Sequence, residues 1–222
     1  GILKKQLSYL PNLAYVDMCN CGVPDEEMAK MRTSMPTIKF VWMLHVSFFE
    51  IRTDIKAFSL SQTNDFNGSN FTKKGDEIRR YRWINDEEIS KLRYCTDIEA
   101  LDIGHAYLVT DISFVKYLTK LRFLVISRTA VKDLSPISNL VDLVFLEFFS
   151  DDISDISVLS RLENLEYLNC SNNSIQDITP LIKLKSLKRL WAIHCSFSVE
   201  QINVLVESLP NTIVMTVGSH PT

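Results

Sequence analysis

The chain lacks any apolar run long enough to cross a membrane. Its longest, such as Phe40 to Leu44, stop after a few residues, where a spanning helix needs about 20. No basic segment followed by an apolar core opens it, so any export signal is expected to have been removed or to lie upstream. A basic surplus is missing too: 24 Lys and Arg stand against 27 Asp and Glu, with the signs interspersed and a formal net charge of −3. A nucleic-acid surface normally carries a basic stripe, so no nucleic-acid partner is expected. Cysteine does not come in an even number. Cys19, Cys21, Cys95, Cys170 and Cys195 cannot all pair within one chain, and Cys19 lies too close to Cys21 for an easy mutual disulfide. No G-x-S-x-G, P-loop or C-x-x-C pattern occurs; the expectation is no enzyme and no cofactor. What the 222 residues do have is 46% hydrophobic content, enough for one large domain or a repeat array.

That content is periodic. Leu118, Leu140, Leu162 and Leu184 are spaced by 22 residues, as are Leu121, Leu143, Leu165 and Leu187, and again Leu124, Leu146, Leu168 and Leu190. Two residues after the last column comes another apolar one: Ile126, Phe148, Cys170, Ala192. Val131, Ile153 and Ile175, then Asp133, Asp155 and Asp177, then Leu134, Ile156 and Ile178 extend the alignment. A further unit fits upstream through Cys95, Ile98, Leu101, Ile103, Ala106, Leu108, Asp111 and Ile112, with one inserted residue. A 20–29-residue period with L-x-x-L-x-L spacing is the leucine-rich-repeat signature. The L-x-L pair alternates as a strand does, with both apolar residues on one face. No unit can bury that face alone, so units stack.

A second unit type brackets the first. Leu10, Leu13, Val16 and Met18 recur 25 residues later as Met35, Ile38, Val41 and Met43. Val23, Met28, Met31 and Met35 share the spacing of Phe197, Ile202, Leu205 and Leu209, which puts apolar residues on one side of a helix. Asp25, Glu26, Glu27 and Glu200 suit helix N-termini. The final strand is expected to turn either Ile213 and Met215 or Met215 and Val217 inward. Leu3 to Pro11 reads as the end of another helical unit, with more units expected upstream. Between Val46 and Asn85 the pattern is irregular. Alternation at Phe49, Ile51 and Ile55 to Phe58 suggests a strand or hairpin, the Asn64–Asn70 cluster a loop tip carrying glycosylation-type triplets at Asn67 and Asn70, and Asn85, before Asp86-Glu87-Glu88, a helix cap leading into Ile89 to Tyr94. The expected fold is an α/β solenoid: a leucine-rich-repeat horseshoe with a parallel concave sheet, convex helices in the terminal repeats and 3-10 or turn segments in the central ones. It forms a single domain over 1–222, divided into helical 25-residue repeats (1–45), an irregular insertion (46–90), 22-residue repeats (91–183) and a helical C-terminal repeat (184–222).

With closing segments Asp133 to Ile137, Asp155 to Leu159 and Asp177 to Leu181, the array resembles internalin-type leucine-rich repeats. Through Val41-Trp42, Arg52-Thr53-Asp54, Leu92 to Asp97 and Leu101 to His105 it also resembles leucine-rich-repeat proteins of anaerobic gut Firmicutes. The resemblance implies a secreted or cell-surface horseshoe that binds other molecules and has no catalytic activity. The chain departs from it at the asparagine-ladder column, which holds Cys21, Ala106, Thr129, Asp151, Asn173 and Cys195, so only one unit keeps Asn.

Residues flanking the inward leucines should project from the concave sheet. One column reads Tyr15, Phe40, Ala100, Phe123, Phe145, Tyr167, Arg189; the next reads Asp17, Trp42, Asp102, Val125, Glu147, Asn169, Trp191. Further outward positions add Phe149, Ile193, Arg128, His45, His105 and His194. At about 4.8 Å between strands, Phe123, Phe145 and Tyr167 should form an aromatic row, with Phe149 and Trp191 as side anchors. Asp102, Glu147 and Arg128 would supply polar contacts, and His105 and His194 complete the expected ligand-binding set. The expected ligand is a protein or peptide, with a glycan-binding module or a purely architectural spacer as alternatives. The Asp111, Asp133, Asp155 and Asp177 column is expected to cap backbone amides rather than act as paired catalytic acids. His105 and His194, four strands apart, are too distant to share a metal, and no metal site is expected.

Overall fold

A computed structural model describes residues 2–7, 9–60 and 83–216. The 22-residue period becomes a parallel ladder. Strands β1 (Tyr15–Asp17) and β2 (Lys39–Val41) form their own two-stranded parallel sheet, and β3 (Met43–Val46) and β4 (Phe49–Arg52) an antiparallel hairpin. Strands β5 (Ala57–Ser59), β6 (Ala100–Asp102), β7 (Phe123–Val125), β8 (Phe145–Glu147), β9 (Tyr167–Asn169), β10 (Arg189–Trp191) and β11 (Ile213–Met215) make one seven-stranded parallel sheet in chain order. The molecule is thus a leucine-rich-repeat solenoid, as its period requires.

Register follows the leucine columns. Leu101 pairs with Leu124, Leu124 with Leu146, Leu146 with Leu168 and Leu168 with Leu190, and each of these leucines is buried. The Leu118-type and Leu121-type columns lie in the same core. Burying one such side chain is worth about 1.5–3 kcal/mol, and repetition turns that into a continuous interior. On the convex side, 22-residue units leave room only for short 3-10 turns, Ser113–Tyr117, Ser135–Ile137 and Ser157–Arg161, or a single α-turn. Each begins with an aspartate from the predicted column: Asp111, Asp133, Asp155 and Asp177 accept the amides of Ser113, Ser135, Ser157 and Thr179 at 2.7–2.8 Å.

Among the described residues the α-helices are α1 (Ile2–Leu7), α2 (Asp25–Ser34), α3 (Asp86–Ile89), α4 (Thr179–Ile182) and α5 (Val199–Ser208). The ten-residue α2 and α5 belong to the longer terminal units. Ser198 and Gln201 cap α5 reciprocally, and Asn85 and Glu88 cap α3 in the same way.

The terminal registers differ from the 25-residue expectation. Val16 pairs with Phe40 and Leu190 with Val214, a step of 24 residues at both ends. Phe40 therefore points inward, and alternation carries Trp42 inward as well: both are 2% exposed, not concave-face residues. At the other end Val214 turns inward and Ile213 and Met215 outward, which overturns both expected arrangements; Val217 lies outside the described residues. The connection from helix to strand (Met35-Pro36-Thr37 and Leu209-Pro210-Asn211) is one residue tighter than spacing alone suggested. The irregular segment also contributes structure: β3–β4 is a hairpin, and β5 supplies the first strand of the main sheet. Asn64, Asn67 and Asn70 lie outside the described residues.

Side chains join the two-stranded unit to the main array. Asp97 receives Lys39 Nζ and Lys120 Nζ, each at 2.6 Å. Burial works against its ionisation, but the two ammonium groups prevail and hold its pKa near 2. Arg32 Nη1 donates to the Tyr94 carbonyl at 2.8 Å.

The ladder column is used in four ways. Asn173 accepts the Ile153 amide at 2.8 Å, and its Nδ2 donates to the carbonyls of Phe148, Cys170 and Ser171. Cys195 donates its thiol to the Cys170 carbonyl at 3.1 Å. Thr129 Oγ1 accepts the Val131 amide. Asp151 accepts the Thr129 amide and hydroxyl through Oδ1, while its buried Oδ2 has no partner among the described residues. Cys21 is exposed.

Candidate functional site: the concave face

Because the leucines of β6–β10 face the core, the residues on either side of each leucine face out from the concave sheet. Ala100, Phe123, Phe145, Tyr167 and Arg189 fall in one register column, and Asp102, Val125, Glu147, Asn169 and Trp191 in the next. Phe123 is 45% exposed; Phe145, Tyr167 and Trp191 are half-buried. The Phe123 and Phe145 rings stack with centroids 6.5 Å apart and planes 29° from parallel. Tyr167 follows on β9, with Lys188 Nζ 6.0 Å from its ring and bound to Glu166 at 2.6 Å.

Cations cover the flanking rings. The Arg189 guanidinium lies 5.3 Å from the Trp191 ring centre, and that of Arg128 5.4 Å from Phe149. Such contacts hold long side chains across the sheet at about 0.5–1 kcal/mol each.

Glu147 sits in the middle, half-buried. Ser127 Oγ donates to its Oε1 at 2.8 Å and Asn169 Nδ2 to its Oε2 at 3.1 Å. The Ser127 hydroxyl in turn accepts the Phe149 amide at 3.0 Å, so a backbone group fixes the donor that fixes the carboxylate. Asp102 accepts Ser59 Oγ at 2.7 Å and the Gly104 amide at 2.9 Å.

The rim column consists of residues with left-handed backbone: His105 (φ 65°), Arg128 (57°), Ser150 (61°), Asn172 (55°) and His194 (57°). Non-glycine residues adopt this conformation at a cost; here it turns the chain from strand towards convex side. His105 Nδ1 lies 3.0 Å from Tyr107 Oη, and His194 is exposed at the far end. His45 leaves this column altogether: it belongs to the β3–β4 hairpin, opposite Glu50.

The sheet therefore brings Phe123, Phe145, Tyr167, Glu147, Asp102 and Trp191 onto one face, with Phe149, Arg128, His105 and His194 along its rim. Phe40 and Trp42 do not join them. Sequence reasoning missed Ser127 as the group that orients Glu147, and it missed the outward Ile213 and Met215; the 24-residue step is the signal that finds the latter two. Among the described residues, no three His, Cys, Asp or Glu side chains converge as a metal site requires. No helix of the described residues is long and apolar enough to cross a membrane.

Comparison with known proteins agrees with this geometry. The family model "Leucine Rich repeats (2 copies)" matches residues 163–207. Comparison with curated protein sequences gives no match. Among solved structures, an internalin (inlF) from Listeria monocytogenes superposes with a TM-score of 0.54 at 29% identity, covering 61% of this chain and 45% of the internalin. This chain thus spans less than half of that protein. Internalin C2 (inlC2) of the same organism matches at 26% identity with a TM-score of 0.44, over 58% of this chain and 67% of its own. The leucine-rich-repeat ectodomain of the Arabidopsis receptor kinase HAESA, solved in complex with an IDA peptide hormone, matches at 22% identity with a TM-score of 0.42, over 47% of this chain and 19% of its own. Leucine-rich-repeat domains generally serve as protein-binding scaffolds, because stacking repeats builds an extended concave surface. Repeat spacing, parallel sheet and superposition converge on a leucine-rich-repeat solenoid whose fold is similar to that of an internalin.

Proposed function

We propose that the chain is a non-enzymatic binding scaffold that recognises a protein or peptide on its concave face at the bacterial surface. One observation carries the reading: an aromatic row, the exposed Phe123 stacked on the half-buried Phe145 with the half-buried Tyr167 beside it, lies on the outward side of a sheet whose opposite face already holds the core. Cross-strand ring pairing is worth up to about 1 kcal/mol, which does not require the rings to stand on the outward side. Contiguous exposed aromatics flanked by oriented polar groups are the composition of binding hot spots.

Phe145→Ala should weaken ligand binding at least 10-fold, with Trp191→Ala acting in the same direction, while the thermal midpoint of Phe145→Ala stays within a few degrees of wild type. The measurement is a pull-down from host and bacterial surface extracts, followed by titration of the captured protein against wild type and variant. A folding loss as large as the binding loss would show that the ring is core. Capture of glycan alone, on an array, would replace the protein-binding reading with a glycan-binding one. Absence of any saturable ligand would leave an architectural spacer.

A further inference from the structure

The concave face has an electrostatic asymmetry at its centre. Arg128 and Arg189 are occupied over the Phe149 and Trp191 rings. Glu147, by contrast, has both oxygens aimed by neutral donors, Ser127 and Asn169. Among the described residues no Lys or Arg nitrogen lies within 4.0 Å of it. Each carboxylate oxygen keeps a second lone pair for a further donor. Two residues away on the same strand face lies the Phe145 ring, about 6.6–6.8 Å along the strand, stacked on Phe123. A half-buried, pre-oriented carboxylate beside an aromatic platform presents a negative charge next to a π-face, and a planar cation satisfies both.

Resting on the concave-face reading above, we infer that the protein partner presents an arginine side chain to Glu147, its guanidinium lying over the Phe145 ring. Arginine fits better than lysine because its flat fork stacks on a ring while its edge donors meet a carboxylate. An acidic ligand residue at this position would face Glu147 directly and be repelled. The residues directly across from Glu147 do not compete for the guanidinium: Val125 is apolar and Asn169 is neutral.

The test is selection of a random displayed peptide library on the immobilised chain, followed by titration of the enriched peptides. Enriched peptides should share an anchored arginine. Changing that arginine to glutamine should weaken binding to wild type about 10-fold or more, but no more than about 2-fold to Glu147→Gln, a near-isosteric variant that removes the charge while its amide oxygen still accepts one of the two neighbouring donors. The coupling should fall as salt is raised. Peptides that depend on Phe145 but carry no anchored basic residue, or lose equally against wild type and Glu147→Gln, would overturn this inference and leave the concave-face reading standing. Peptides indifferent to both Phe145→Ala and Glu147→Gln, or a selection that enriches nothing, would overturn both.

Discussion

Asp151→Asn should make the protein more stable at neutral pH, by about 2–4 kcal/mol. Asp151 stands in the column where Asn173 donates its amide to three carbonyls. One 22-residue step earlier the equivalent carbonyls are those of Ile126, Phe148 and Phe149, and an ionised carboxylate has no hydrogen to give them. The consequence is visible: Asp151 is 2% exposed, and its buried Oδ2 has no hydrogen-bond partner among the described residues. Burial pushes its pKa up to about 7, against the opposing pull of the Thr129 amide and hydroxyl and of Lys132, with Glu147 adding repulsion. Lys132 itself is spent on the Asp151 carbonyl at 2.8 Å and on Asp152 at 3.1 Å.

The sign of the pH effect follows. The folded state holds a proton that the unfolded chain, with an ordinary pKa of 3.8, releases. Stability from this group is full below about pH 4, is withdrawn as pH rises to about 7, and stays low above that. Asparagine restores both the acceptor and the missing donors, so the variant's advantage should be largest above pH 7 and shrink towards pH 4. Urea unfolding of wild type and variant at pH 5 and pH 8 measures it. An advantage equal at both pH values, or a loss at pH 8, would contradict the assignment.

Trp42→Ala should cost about 3–5 kcal/mol, the range for truncating a large buried aromatic, and the loss should be local. Trp42 Nε1 donates to Asp25 at 3.0 Å, the Arg32 guanidinium lies 4.9 Å from its ring centre, and the Tyr94 ring 5.7 Å away. One side chain thus joins α2 to the strand after it and to the turn that opens the main array. Since β1 and β2 pair with each other rather than with the seven-stranded sheet, and repeats are held mainly by nearest neighbours, the N-terminal unit should open first. Hydrogen exchange should show amides of residues 15–42 losing protection while those of β7–β10 keep theirs. Uniform loss across the chain would contradict this. Trp42→Phe, which keeps most of the buried area but not the indole N–H, should cost about 1 kcal/mol.

How legible these features were depended on how many units repeat the same column. Phe123-Leu124-Val125 is itself apolar, but Leu124, Leu146, Leu168 and Leu190 recur at 22-residue steps through four units, so the column sets the inward face of β7–β10 where alternation within one strand does not. Phe40-Val41-Trp42-Met43-Leu44 and Ile213-Val214-Met215 are apolar throughout. There a period of two cannot choose a face, and the tight helix-to-strand connection shifted the register by one. The aspartate turns were readable because an Asx cap is local, two residues from its amide. The grip of Ser127 and Asn169 on Glu147 was not, since it joins residues 20 and 22 positions apart across strands. Asp151 was visible as a departure from asparagine, but its cost emerges only when the donors around its second oxygen are counted.

The claim beneath all of this is that the strands stack in register with Phe123, Phe145, Tyr167 and Trp191 facing water. Hydroxyl-radical footprinting of the intact protein tests it most directly, because neighbouring rings should behave oppositely. Phe123 and Trp191 should oxidise readily, and Phe149 faster than Phe148, while Trp42 and Phe148 stay protected until the chain unfolds. Protection of Phe123 and Trp191 together with rapid oxidation of Phe148 would mean that the sheet faces the other way.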